Sequence, residues 1–161
     1  MNVIRLTLVP HDGVGPLKLG APRDAIRAAA RQLGLAAGPT HAESDTFADE
    51  TVQIDYDDAG RTRFIGIAPL PDVHRLTVAG LDCADTPATE VFRAIAAAEG
   101  GDHAFDAEGY LFPRQIIALW AADEENDAIA PAGRKRPIWG QVGVGTPAYR
   151  ALVDRIRARE T

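Results

Sequence analysis

Apolar and polar positions change period several times along the chain. The run VIRLTLV (3–9) mixes β-branched residues with Leu and Arg and reads as a strand. Over 22–33 the period lengthens. Ile26, Ala29, Ala30 and Leu33 recur at i, i+3, i+4 and i+7, predicting a helix with Pro22 in its first turn and Gly34 as its stop. Arg23, Arg27 and Arg31 fall four apart on the opposite side. Residues 35–46 are polar, hold Gly38-Pro39 and read as a loop. Two alternating runs, TVQIDY (51–56) and RTRFIGIA (61–68), flank DDAG and predict a β-hairpin. Val52, Ile54 and Tyr56 share one face of it, with Phe64 expected opposite them.

After the break PLPD (69–72), VHRLTVAGLD (73–82) reads as a strand. A helix follows over 87–98, with Thr86 as cap, Pro87 in first position and Val91, Ala94, Ile95 and Ala98 as its apolar face. EGYLFP (108–113), QIIALWAA (115–122) and IWGQVGV (138–144) read as strands. The last two are joined by a long charged connection, 122–137. Gly145-Thr146-Pro147 opens a C-terminal helix, 146–160, with Tyr149, Leu152, Val153 and Ile156 as its apolar stripe. Strand, helix and hairpin thus occur twice, over about 1–70 and 71–145, and VIRLTLV aligns with VHRLTVA. The expected fold is α+β: one domain, 1–161, of two helix-plus-antiparallel-hairpin repeats forming a sheet covered by helices, with the C-terminal helix at an edge or end.

Composition narrows the partners. A net charge of −6 opposes non-specific nucleic-acid binding, which needs an excess of Lys and Arg. The single cysteine, Cys83, excludes an internal disulfide and a multi-cysteine zinc site. There is no apolar stretch of signal-peptide length at the start and none of membrane-spanning length anywhere, so neither nucleic acid nor membrane is an expected partner and a cytoplasmic location is expected.

The glycines of DGVGPLKLG (12–20) invite a nucleotide-binding reading, but a phosphate cradle needs free amides where the helix begins. Here Pro16 removes one amide and the helix starts only near Pro22. A shaped linker is expected instead, with Leu17 and Leu19 entering the core. This stretch resembles the opening of uncharacterised small bacterial α+β proteins that begin G-apolar-G-P-apolar-x-apolar-G before a helix. EGYLFPRQIIALW (108–120) is similar to a second segment of theirs, and YDDAGRTRFIGIA (56–68) resembles their acidic hairpin. Some of those proteins look like immunity proteins, which implies a binding role. The layout also resembles the tandem-repeat β-lactamase inhibitory proteins and small outer-membrane assembly lipoproteins. This chain has neither the inhibitors' disulfide cysteines nor the lipoprotein signal and cysteine.

Catalytic signatures are scarce. There is no G-x-S-x-G, and Ser44 is the only serine. His11, His103 and Cys83 are the candidates for an alternative reading as a small enzyme. Asp102, His103, Asp106 and Glu108 cluster without diagnostic ligand spacing, and no cofactor or metal is expected. Trp120 and Trp139 fall on the two strands around the long connection, as cross-strand packing or as a stacking platform. That connection, longer than ordinary hairpin loops, carries Asp123, Glu124, Glu125 and Asp127, then Arg134, Lys135 and Arg136. These seven are the expected partner-contact residues. The favoured function is a non-enzymatic protein-binding module of immunity type with a basic protein partner. A homo-oligomeric structural module is the third reading.

Overall fold

The computed structural model describes residues 3–122, 127–129 and 135–159. The fold is α+β, with two principal sheets where the sequence suggests one. The smaller is ordered β3(Leu17–Lys18)-β2(Gly13–Val14)-β1(Ile4–Val9)-β8(His74–Val78)-β9(Leu81–Asp82). The larger is ordered β10(Gly109–Phe112)-β11(Ile117–Trp120)-β14(Gln141–Gly145)-β7(Thr62–Ile67)-β6(Val52–Tyr56)-β5(Ser44–Phe47)-β4(Ala37–His41). A third ladder pairs β12(Asp127–Ile129) with β13(Lys135–Pro137) inside the long connection. The two similar heptads lie side by side in parallel, Ile4 against His74, Leu6 against Leu76 and Thr7 against Thr77.

DGVGPLKLG is the hairpin β2–β3, with Val14 opposite Leu17 across Gly15-Pro16. Its backbone amides are already engaged: Gly15 N donates to Thr7 O at 3.0 Å and Leu19 N to Asp12 O at 2.9 Å. A Cβ at Gly13 would sit 2.1 Å from Leu17 O, so the close approach requires glycine there. Leu17 is fully buried and Leu19 half-buried, packed on the core.

Helix α1(Arg23–Gln32) buries Ile26 and Ala30, and α2(Ala88–Glu99) buries Ala88, Val91, Phe92, Ile95 and Glu99. Pro22 and Pro87 stand just before their helices, and Thr86 forms no side-chain cap. One cluster of buried side chains takes Leu6, Leu8, Leu76 and Val78 from the small sheet, Ile54, Ile65, Ile117, Val142 and Val144 from the large one, and both helices' apolar faces. At roughly 2 kcal/mol per buried aliphatic side chain, this common core is the main cohesive term.

Helix α3(Pro147–Arg159) has no fully buried residue and lies on the opposite face of the large sheet, over β7 and β14, rather than closing an edge. The pairing register explains its seat. Phe64 opposes Asp55, not the Val52–Ile54–Tyr56 face, so its ring points outward. It lies over Gly143 and Gly66, where added Cβ atoms would come within 2.3 Å and 2.9 Å of it. Tyr149 of α3 stacks on it, ring centroids 4.3 Å apart.

Candidate partner-binding face

Strand alternation sends Gly109, Leu111, Ala118, Trp120, Gln141 and Gln53 to the outer face of the large sheet, the face α3 half covers. Between α3 and β10–β11 runs an open groove of about 450 Å³. Its apolar wall is Leu111, Trp120, Tyr149 and Val153. Asp106 and Glu108, from the segment leading into β10, and Arg157, from α3, are its charged lining.

Trp120 is 63% exposed. Its cross-strand neighbours are Gly109 and Gln141, which offer its ring no apolar partner. Gln141 instead reaches over β7, where the missing Cβ of Gly66 leaves room, and donates to Gln53 Oε1 at 3.3 Å. Gln53 in turn donates to Asp55 Oδ1 at 3.4 Å. Burial raises the Asp55 carboxyl above its ordinary pKa. The face therefore combines an exposed aromatic ring, a strip of side-chain amides and a charged lining. Rings supply apolar contact area and amides supply donors and acceptors to a peptide-like partner.

The residues singled out in the sequence fall in several places. Asp123, Glu124, Glu125 and Arg134 lie outside the described residues. Asp127 belongs to β12, and Lys135 and Arg136 to β13. This ladder connects the end of β11 to the start of β14, the end of the sheet where Trp120 opposes Gln141. Trp139 does not pair with Trp120. It lies outside the ladder, fully buried, its indole N–H donating to Ala88 O at 3.0 Å.

His11, His103 and Cys83 have three different surroundings. Exposed His11 lines another groove, of about 530 Å³, with Arg114, Ile116 and Arg150. His103 is held between Gly100 O (2.7 Å from Nε2) and the Tyr110 hydroxyl (2.6 Å from Nδ1). In the neutral ring Nε2–H donates to the carbonyl, leaving Nδ1 to accept from tyrosine. Cys83 is buried, and burial followed by the nearby Asp82 charge pushes its thiol up to about 12, far from thiolate chemistry at neutral pH. Among the described residues no three His, Cys, Asp or Glu side chains are grouped to hold a metal ion, and no helix is long and apolar enough to cross a membrane.

Sequence reasoning missed the groove because its walls come from the 106–108 segment, β10, β11, β14 and α3. The one available signal was parity: Trp120 shares its strand face with small Ala118, whereas Ile117 and Leu119 form the apolar face. No protein-family model, no curated protein and no solved structure matches this chain.

Proposed function

We propose that the protein is a non-enzymatic binding module that receives a basic segment of another protein across the outer face of its large sheet, as an immunity-type protein receives the toxin it neutralises. The exposure of Trp120 beside the α3 groove carries this reading. Large aromatic rings are costly to leave in water and are enriched where binding energy concentrates. Covering the rest of the ring would contribute about 2–3 kcal/mol from apolar area alone. Charge supports a basic partner. Asp106 and Glu108 border the groove, the connection beyond Trp120 begins with Asp123, Glu124, Glu125 and Asp127, and the whole chain carries −6.

The test uses the full chain and its Trp120→Ala variant as baits in extracts of the source cells. Proteins captured by the wild type are purified and titrated by calorimetry. The expected result is a stoichiometric complex, weakened about thirtyfold or more in the variant, the equivalent of about 2 kcal/mol. Its urea midpoint should stay unchanged. A complex that Trp120→Ala leaves intact refutes this use of the face.

A further inference from the structure

We propose that His74 is a proton-triggered latch. While neutral it ties the small sheet to a strained turn of the large sheet, and its protonation releases that turn. The proposal is independent of the binding face. His74 opens β8, is 0% exposed and projects to the core side of the small sheet with Leu76 and Val78. Its Nε2 is 2.8 Å from the Thr51 hydroxyl. That hydroxyl donates its one proton to Ala48 O at 2.6 Å, so it accepts from Nε2–H and fixes the tautomer. Nδ1 is then a bare acceptor, and no partner among the described residues meets it.

The far side of the latch is under strain. Ala48, Asp49 and Glu50 take φ values of 52°, 55° and 67°, three successive residues in the left-handed region without a glycine. The turn is tied down by Ala48 N to Ala36 O (2.8 Å), Thr51 N to Ala48 O (3.2 Å) and Ala68 N to Thr51 O (2.8 Å). A proton from solvent could add only at Nδ1. It would create a buried cation whose new N–H meets no acceptor among the described residues, a state that favours opening toward water. The charged residues on the surrounding elements do not offset this. Asp49 and Glu50 on the turn and Asp72 before β8 are exposed, and Arg75 on β8 and Arg5 on β1 fall on the other face of the small sheet. Burial alone lowers the His74 basicity from its ordinary 6.5.

The wild-type chain is followed by NMR from pH 8 to pH 5, reading the His74 ring signal and the exchange protection of backbone amides. Because the open turn takes up one proton that the closed one refuses, its opening constant should rise about tenfold per pH unit below about 6.5. The Thr51 and Ala68 amides should lose protection at that rate while Val142 and Val144 keep theirs. In His74→Gln the pH dependence at Thr51 and Ala68 should vanish. A His74 ring that titrates at 6.5 or above overturns the latch. So does protection at Thr51 and Ala68 that is flat with pH or falls in step with Val142 and Val144. The wild-type measurement decides the matter even if the variant fails to fold.

Discussion

Asp45 and Glu99 are both carboxylates withdrawn from water where a helix meets a hairpin, one in each half of the chain. Asp45 sits on strand β5, 1% exposed, and accepts from two guanidinium groups of α1: Arg23 at 2.7 and 3.1 Å and Arg27 at 3.0 and 3.1 Å. The Tyr56 hydroxyl adds a bond at 2.8 Å. Arg23 also donates to the carbonyls of His41, Ala42 and Ser44 and lies over the Tyr56 ring, closing the β4–β5 hairpin onto the helix. Glu99 reverses the arrangement. It ends helix α2 and accepts from the turn between β10 and β11, from the amides of Arg114 (2.6 Å) and Gln115 (3.0 Å) and from the Gln115 side chain (3.0 Å). Burial raises the pKa of both carboxyls, and in both the donors overcome it and leave the group below its ordinary range. The first knot uses removable cations, the second mostly backbone. One buried charge can thus be stabilised by ion pairs or by oriented amides, and the two solutions should fail differently.

The largest effect should come from breaking the ionic knot. Asp45→Ala leaves two facing guanidinium groups and a Tyr56 hydroxyl without their acceptor. Loss of one partner from a buried pair costs about 3–5 kcal/mol. The arginine side chains are 24% and 40% exposed and regain water, so a value near the lower end, about 3 kcal/mol, is expected from urea unfolding. The loss should come with early exchange at Ser44–Phe47. A smaller effect is expected in the second half. Glu99→Gln keeps one oxygen for the turn but sets an NH₂ against another donor, which should cost about 2 kcal/mol by the same measurement. If Glu99→Gln proves the more damaging, the amide-held carboxylate is the stronger fastening and the comparison inverts.

How much of this was readable in the chain depends on which contacts are local. The helices, the 51–68 hairpin and the C-terminal helix follow from period and from proline and glycine punctuation, and their observed limits lie close to those expected. The β4–β5 hairpin was hidden, because an edge strand is exposed and tolerates Pro39 and a register shift between Ala37 and Thr40, so it looks like a loop. With that hairpin invisible, the stripe Arg23, Arg27, Arg31 had no visible acceptor. Two of the three in fact grip Asp45. Glu99 was missed for a related reason: its partners are backbone amides, which leave no sequence signature. Phe64 was assigned to the wrong side because one step of register reverses every side chain on a strand. The candidate site suffered most, since Trp120 gains its meaning from what it lacks across two strands.

Acid should separate the two knots. Each folded carboxyl has a pKa below its ordinary value, 3.8 for Asp45 and 4.5 for Glu99, so the unfolded chain takes up protons that the folded one refuses. The stabilisation is whole above those ordinary values and drains as pH falls toward the folded ones, by at most about 1.4 kcal/mol per pH unit for each group. Asp45 has five donor contacts, four of them from two doubly pronged cations, and Glu99 has three contacts with none from a cation, so Asp45 should hold its charge further into acid. Urea midpoints of the wild type, Asp45→Asn and Glu99→Gln between pH 5 and pH 2.5 measure this. Removing Glu99 should flatten the upper part of the wild-type decline, near pH 4, and removing Asp45 the lower part, below pH 3.5. Identical flattening in both variants would mean that oriented amides hold a carboxylate's charge as firmly as two arginines do.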